Sequence, residues 1–142
     1  MRIIVGGTGR KSGKTTLVCR ILSLTPERRW TAVKISHHAP QSGAPFELIE
    51  EREPGPSGDT CRYLAAGAAR AFWLRGDFDQ GLPALRALLE QQENWIVEST
   101  RAARHLDADL ILTAGAEPAP DRAALLALLG RPQPQRQQQP PR

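Results

Sequence analysis

Residues 3–22 read IIVGGTGRKSGKTTLVCRIL. A short apolar run leads into a glycine-rich turn, the triplet Gly13-Lys14-Thr15, and then apolar residues at helical spacing. Strand, glycine-rich loop and helix in that order are the context that a phosphate-binding P-loop requires. Successive backbone N–H groups in such a loop point inward and form an anion-binding concavity. The helix that follows adds the positive end of its dipole. The expected cofactor-binding set is therefore Gly9, Arg10, Lys11, Ser12 and Gly13 with Lys14 and Thr15. Lys14 would reach the β- and γ-phosphates, and the Thr15 hydroxyl would sit on Mg2+. Gly13 is expected as glycine because the backbone must approach the phosphates closely. The standard pattern asks for glycine five residues before Gly13, where this chain has Thr8 flanked by Gly6, Gly7 and Gly9.

A chain of 142 residues supports one domain with a real core but not two. Its net charge is +4, yet residues 131–142 (RPQPQRQQQPPR) carry three arginines and no acid. The basic character is thus largely a property of the tail, and no DNA partner is expected. Residues 1–130 form the expected nucleotide-binding domain. The Pro/Gln/Arg tail, with no apolar side chain to bury, is expected to be disordered. Cys19 and Cys61 are too far apart for a CxxC pair, and Cys19 falls among the apolar positions of the first helix. The apolar start is too short for a signal peptide, and no run approaches a membrane span. The expected setting is cytoplasmic, without a membrane partner.

Outward from the opening stretch, a first helix is predicted over 14–24, with Leu17, Val18, Ile21 and Leu22 as its buried stripe. Strands are predicted over 31–36, 70–74, 94–98 and 109–113. Helices are predicted over 59–66, around 82–89 with Pro83 in the first turn, over 99–106, and from a cap at Asp121 to Leu129 before Gly130. Residues 39–58, rich in proline and glycine and carrying Glu47, Glu50, Glu51 and Glu53, read as a long loop with a short strand at 46–49. Strands alternating with helices define an α/β fold with a largely parallel sheet, here a P-loop NTPase-like three-layer arrangement. Ligands in such sheets bind at the carboxyl ends of the strands.

Three polar groups fall at those ends. Glu98 closes the apolar strand WIVE, as a Walker B acid does, where a carboxylate holds Mg2+ or orients the attacking water. Lys34, His37 and His38 follow the second strand. Paired histidines can act as acid/base groups, ligands or phosphate contacts, or simply occupy a polar loop. No third ligand stands at a zinc spacing. Asp59, in SGDTCRYLAAGAARA, reads either as a helix N-cap or as a carboxylate that a flexible loop brings near Mg2+. The Ala/Gly run at 65–69 would let that helix end pack closely on the sheet.

Four segments in order, GKTTL, VKISHH, DTCRYLAAGA and IVES, resemble the molybdopterin-guanine dinucleotide biosynthesis protein B (MobB) family over roughly residues 2–115. The resemblance implies a homodimeric GTP-binding P-loop protein that assists attachment of a guanine nucleotide to molybdopterin. It implies that Lys14, Thr15 and Thr16 bind phosphate and Mg2+. It also implies that Glu98 is the Walker B acid and that His37, His38 and Asp59 are motif residues.

The expectation is a slow NTPase using GTP, or ATP, with Mg2+ held by Thr15 and Glu98, and with Glu98 and Asp59 as the catalytic pair. Its partners would be a second copy of the chain and other molybdenum-cofactor biosynthesis proteins. Arg10, Arg62 and Arg101 are the candidates for an arginine finger. Two other readings use the same loop: a small-molecule kinase, and a nucleotide-binding regulatory module without turnover.

Overall fold

The computed structural model describes residues 1–8, 13–115 and 121–130. Six strands form one sheet in the order β3-β4-β2-β5-β1-β6. They are β1 (Arg2–Gly7), β2 (Thr31–Ser36), β3 (Phe46–Glu51), β4 (Arg70–Gly76), β5 (Trp95–Glu98) and β6 (Leu110–Ala114). All neighbouring pairs are parallel except β3 with β4. The helices are α1 (Lys14–Leu24), α2 (Asp59–Ala65), α3 (Phe78–Glu90) and α4 (Arg122–Leu129).

Alternation along the strands sends successive side chains to opposite faces. On one face Ile3, Val5, Ala32, Ala71 and Ile96 pack under Leu17, Val18, Ile21 and Leu22 of α1, Tyr63 of α2, and Leu125 and Leu129 of α4. On the other, Ile4, Val33, Phe72, Leu74 and Val97 meet Phe78, Leu82, Leu85 and Leu89 of α3. The result is an α/β domain whose mostly parallel sheet is flanked by helices on both faces. The end of α1 is tied into the first core by Trp30, whose indole N–H donates to Thr25 Oγ1 at 3.0 Å while the Thr25 hydroxyl donates to Ile21 O at 2.7 Å.

The helix 14–24, its buried stripe and the strand 31–36 fall where the sequence predicts them. Asp121 caps α4 by accepting from the Ala124 amide, and Gly130 follows the last turn. The short strand expected at 46–49 within residues 39–58 is present and runs two residues further, as β3 (Phe46–Glu51), the antiparallel edge strand. Two expectations need correction. Pro83 lies in the second turn of α3, not the first, because the helix begins at Phe78 behind the Asp77 cap. Residues 99–106 form only a short 3-10 turn, Ala102–Arg104. There the Ser99 hydroxyl accepts from the amides of Arg101 and Ala102, each at 3.1 Å, and competes with helical pairing. The expected tail at 131–142 lies outside the described residues. Among the described residues no helix is long and apolar enough to cross a membrane.

Candidate functional site

The carboxyl ends of β1, β2 and β5 meet at one point of the sheet. Register sets Glu98 of β5 between Val5 of β1 and Lys34 of β2. Glu98 faces the α1/α2 side and is 2 % exposed. A buried carboxylate must be compensated, and three donors from three elements do this. Glu98 Oε1 accepts from the Thr15 hydroxyl of α1 at 2.7 Å and from the Tyr63 phenol of α2 at 2.5 Å. Its other oxygen, Oε2, accepts from Lys34 Nζ at 2.5 Å. Lys34 Nζ also stands 2.9 Å from Asp59 Oδ2 at the start of α2.

These contacts fix the protonation of two partners. Burial works to lower the pKa of Lys34, but its hydrogen bonds and charge interactions with Glu98 and Asp59 outweigh that and hold the pKa above the ordinary value. Tyr63 is pushed well above the usual phenol range, first by burial and then by the Glu98 charge, so it remains a donor. The Cys19 thiol nearby is raised by burial, and the Cys61 thiol is raised chiefly by its hydrogen bond to Glu51. Neither has the depressed pKa of a reactive thiol.

The sequence-predicted phosphate loop is only partly within the described residues: Gly9, Arg10, Lys11 and Ser12 lie outside them. Gly13 is in the left-handed region at φ +88°, where a side chain is strained whatever space surrounds it. Among the described residues no side chain caps the start of α1, and no acid occupies its first turn. Lys14 and Thr15 are half-buried and Thr16 is exposed. Among the described residues Lys14 forms no salt bridge.

His37 and His38 are exposed beyond β2. His38 packs against Ser36 and Trp73. Its Nδ1 lies 3.0 Å from Ser36 Oγ, and its ring meets Trp73 edge-on at 5.7 Å. Asp59 is not a helix cap: Gly58 holds that position, and the Asp59 carboxylate goes to Lys34 instead. Of the arginine candidates, Arg10 lies outside the described residues. Arg101 stacks over Phe78 at 4.8 Å on the α3 side, away from Glu98. Arg62 lines an open cleft of about 670 Å3 with Cys19, Pro54, Gly55 and Pro56. A second cavity, of about 570 Å3, involves Arg2 and Trp95 at the amino ends of β1 and β5, remote from this cluster.

The sequence reading missed Tyr63 altogether and gave Lys34 no partner. Asp59 and Tyr63 are four residues apart on α2 and so share a face, which is the one signal that pointed to the phenol. Thr100 was also missed; its Oγ1 accepts from the Gly7 amide at 3.3 Å and ties the end of β1 to the segment after β5.

The donor set suits a hard cation. A hydroxyl and two carboxylates converge where Lys34 already places a positive charge. Among the described residues no group of three or more His, Cys, Asp or Glu could hold a metal alone. Comparison with protein-family models, with curated proteins and with solved structures gave no significant match.

Proposed function

We propose that this chain is a P-loop nucleotide-binding protein that takes a nucleoside triphosphate with Mg2+, GTP by its motif resemblance, and hydrolyses it slowly. The same resemblance makes it an accessory factor of the MobB type in molybdenum-cofactor maturation, acting as a homodimer. The observation that carries the nucleotide reading is the 2.7 Å contact between Thr15 and Glu98, residues 83 apart in sequence, beside the start of α1. A P-loop threonine and an acid closing a neighbouring strand are the two protein groups such sites use for Mg2+. The sheet order supports the reading, since β5 lies between β1 and β2. The carboxyl ends there form the kind of crevice in which α/β sheets bind ligands.

In this reading the amides at the start of α1 and the Lys14 ammonium receive the terminal phosphates. Thr15 and Glu98 would hold the metal, which when bound neutralises charge on the phosphates. Tyr63 fixes one oxygen of Glu98 and so presets the carboxylate's orientation. Asp59, on the first turn of α2, is placed to move with the loop that precedes it.

Calorimetric titration with GTP and ATP, each with and without Mg2+, tests the reading. Micromolar or tighter Mg2+-dependent binding is expected, with GTP preferred; no binding of either nucleotide overturns it. Release of phosphate to water, set against transfer to a panel of small acceptors, separates a slow NTPase from a kinase. Binding with neither reaction identifies a regulatory module.

A further inference from the structure

We propose that Lys34 is the resident cation of the Glu98–Asp59 pair, and that it must yield a carboxylate before a divalent cation can enter, so that it sets the metal affinity of the site. This rests on reading Thr15 and Glu98 as the metal side of a nucleotide site.

The two oxygens of Glu98 are not equivalent. Oε1 is already occupied by two hydroxyl donors, Thr15 and Tyr63. An incoming cation that keeps the buried phenol in place must use Oε2, the oxygen that Lys34 holds. Lys34 is anchored on β2 directly opposite Glu98 in register, so its ammonium reaches that oxygen without a loop movement. Its second partner, Asp59, is far more open: the Asp59 side chain is 36 % exposed and that of Glu98 1 %. Lys34 can therefore leave Glu98 while keeping Asp59, and it exchanges a buried partner for a solvated one.

Two carboxylates that share one ammonium need that charge, because like charges this close destabilise one another. The ammonium satisfies the need by itself, which steadies the pair of carboxylates and lowers their appetite for free cations. Removing the charge while keeping the length of the side chain, as in Lys34→Met, transfers the need to the metal.

The test measures Mn2+ binding to nucleotide-free protein by calorimetry and by the Mn2+ electron paramagnetic resonance signal. Lys34→Met is expected to bind Mn2+ about tenfold more tightly than wild type or better. Equal or weaker affinity in the folded variant overturns the proposal. A measurement on the wild type stands independently of how the variant folds: acetylation of Lys34, followed by mass spectrometry, in EDTA and in excess Mg2+. Faster acetylation in Mg2+ is expected as the ammonium is released from Glu98, and equal rates overturn the proposal. Nucleotide titration of the same samples separates the two readings. Tight Mg2+-nucleotide binding with no change in Mn2+ affinity sinks the role of Lys34 alone. A gain in Mn2+ affinity without nucleotide binding sinks the nucleotide site and leaves Lys34 as a cation gate.

Discussion

The Tyr63 phenol in α2 donates to Glu98 Oε1 in β5 at 2.5 Å, with Tyr63 fully buried. This single contact links the helix that begins with Asp59 to the acid at the centre of the candidate site. Replacing Tyr63 with Phe keeps the ring and removes one donor from a buried carboxylate. Stability should fall by about 1–3 kcal/mol, the usual cost of leaving a buried polar group short of a partner. Urea unfolding checks this, and an unchanged midpoint would mean that Thr15 and Lys34 suffice to hold Glu98.

Lys14→Ala tests the other side of the site. The described residues give Lys14 no salt bridge, so its removal should leave the melting temperature near the wild-type value. Triphosphate affinity should drop by about 1.5–3 kcal/mol, the scale of a charge-assisted contact. Calorimetry that finds the same affinity in the folded variant would remove Lys14 from the phosphate site.

Glu98→Gln should lower Mg2+-dependent phosphate release more than nucleotide binding. The structure adds a second expectation. Glu98 uses both oxygens to accept, and an amide has only one acceptor, so its N–H2 would face either Lys34 or the two hydroxyls. A loss of roughly 1–3 kcal/mol in stability should therefore accompany the loss of turnover. Wild-type turnover at limiting Mg2+ would reduce Glu98 to a structural acid.

Glu47 gives the fold an acid-sensitive point far from Glu98. Its Oε1 accepts from the Ser42 amide at 2.9 Å and its Oε2 from Arg75 Nη2 at 2.7 Å. Hydrogen bonding to Ser42, and then to Arg75, lowers its pKa from 4.5 to about 2. A carboxylate depressed in the folded state stabilises it fully above the unfolded value and loses that contribution as pH falls toward the folded one. The stability advantage of wild type over Glu47→Gln should thus be present near neutral pH and shrink between pH 4.5 and about 2. Denaturation of both proteins across that range checks it; a pH-independent difference would show that packing, not charge, carries the effect.

The elements legible in the sequence are those whose side chains face one way at a fixed period. Leu17, Val18, Ile21 and Leu22 mark α1, and TAVKIS between turn signals marks β2. The edge strand β3 is legible only over 46–49, because the acids Glu50 and Glu51 follow its apolar residues. Its acids become tolerable through Arg75 and Arg70, which pair with Glu47 and Glu50 from β4. Such partners depend on strand order, which local patterning does not encode. The segment after Glu98 misled for the opposite reason: its alanines and arginines favour helix, yet the Ser99 hydroxyl captures the amides needed to start one. At the site, Lys14, Thr15 and Glu98 stand out through motif spacing. The Tyr63–Glu98 and Lys34–Asp59 contacts appear only once α2 is laid across β4 and β2.

The last prediction concerns the chain between β3 and α2. Glu51 anchors the first turn of α2, with Oε1 accepting from Thr60 Oγ1 at 3.0 Å and from Cys61 Sγ at 2.8 Å. The loop before it closes on two backbone bonds, Gly55 N to Cys61 O at 3.2 Å and Arg62 N to Gly58 O at 3.1 Å. The loop therefore lies between a firm strand and Asp59, the first residue of α2. Segments of this kind order around Mg2+-nucleotide in switch proteins. Because β3 is paired with β4 through Glu51, residues 46–51 should not respond to ligand. Protection should rise instead across 52–62, including the Gly55 and Arg62 amides. Hydrogen exchange in the absence and presence of saturating Mg2+-GTP measures both. Equal exchange over 52–62 in the two states would leave the loop a fixed connector, with Asp59 serving only as the partner of Lys34. A change confined to 46–51 would place the responsive element in the edge strand instead.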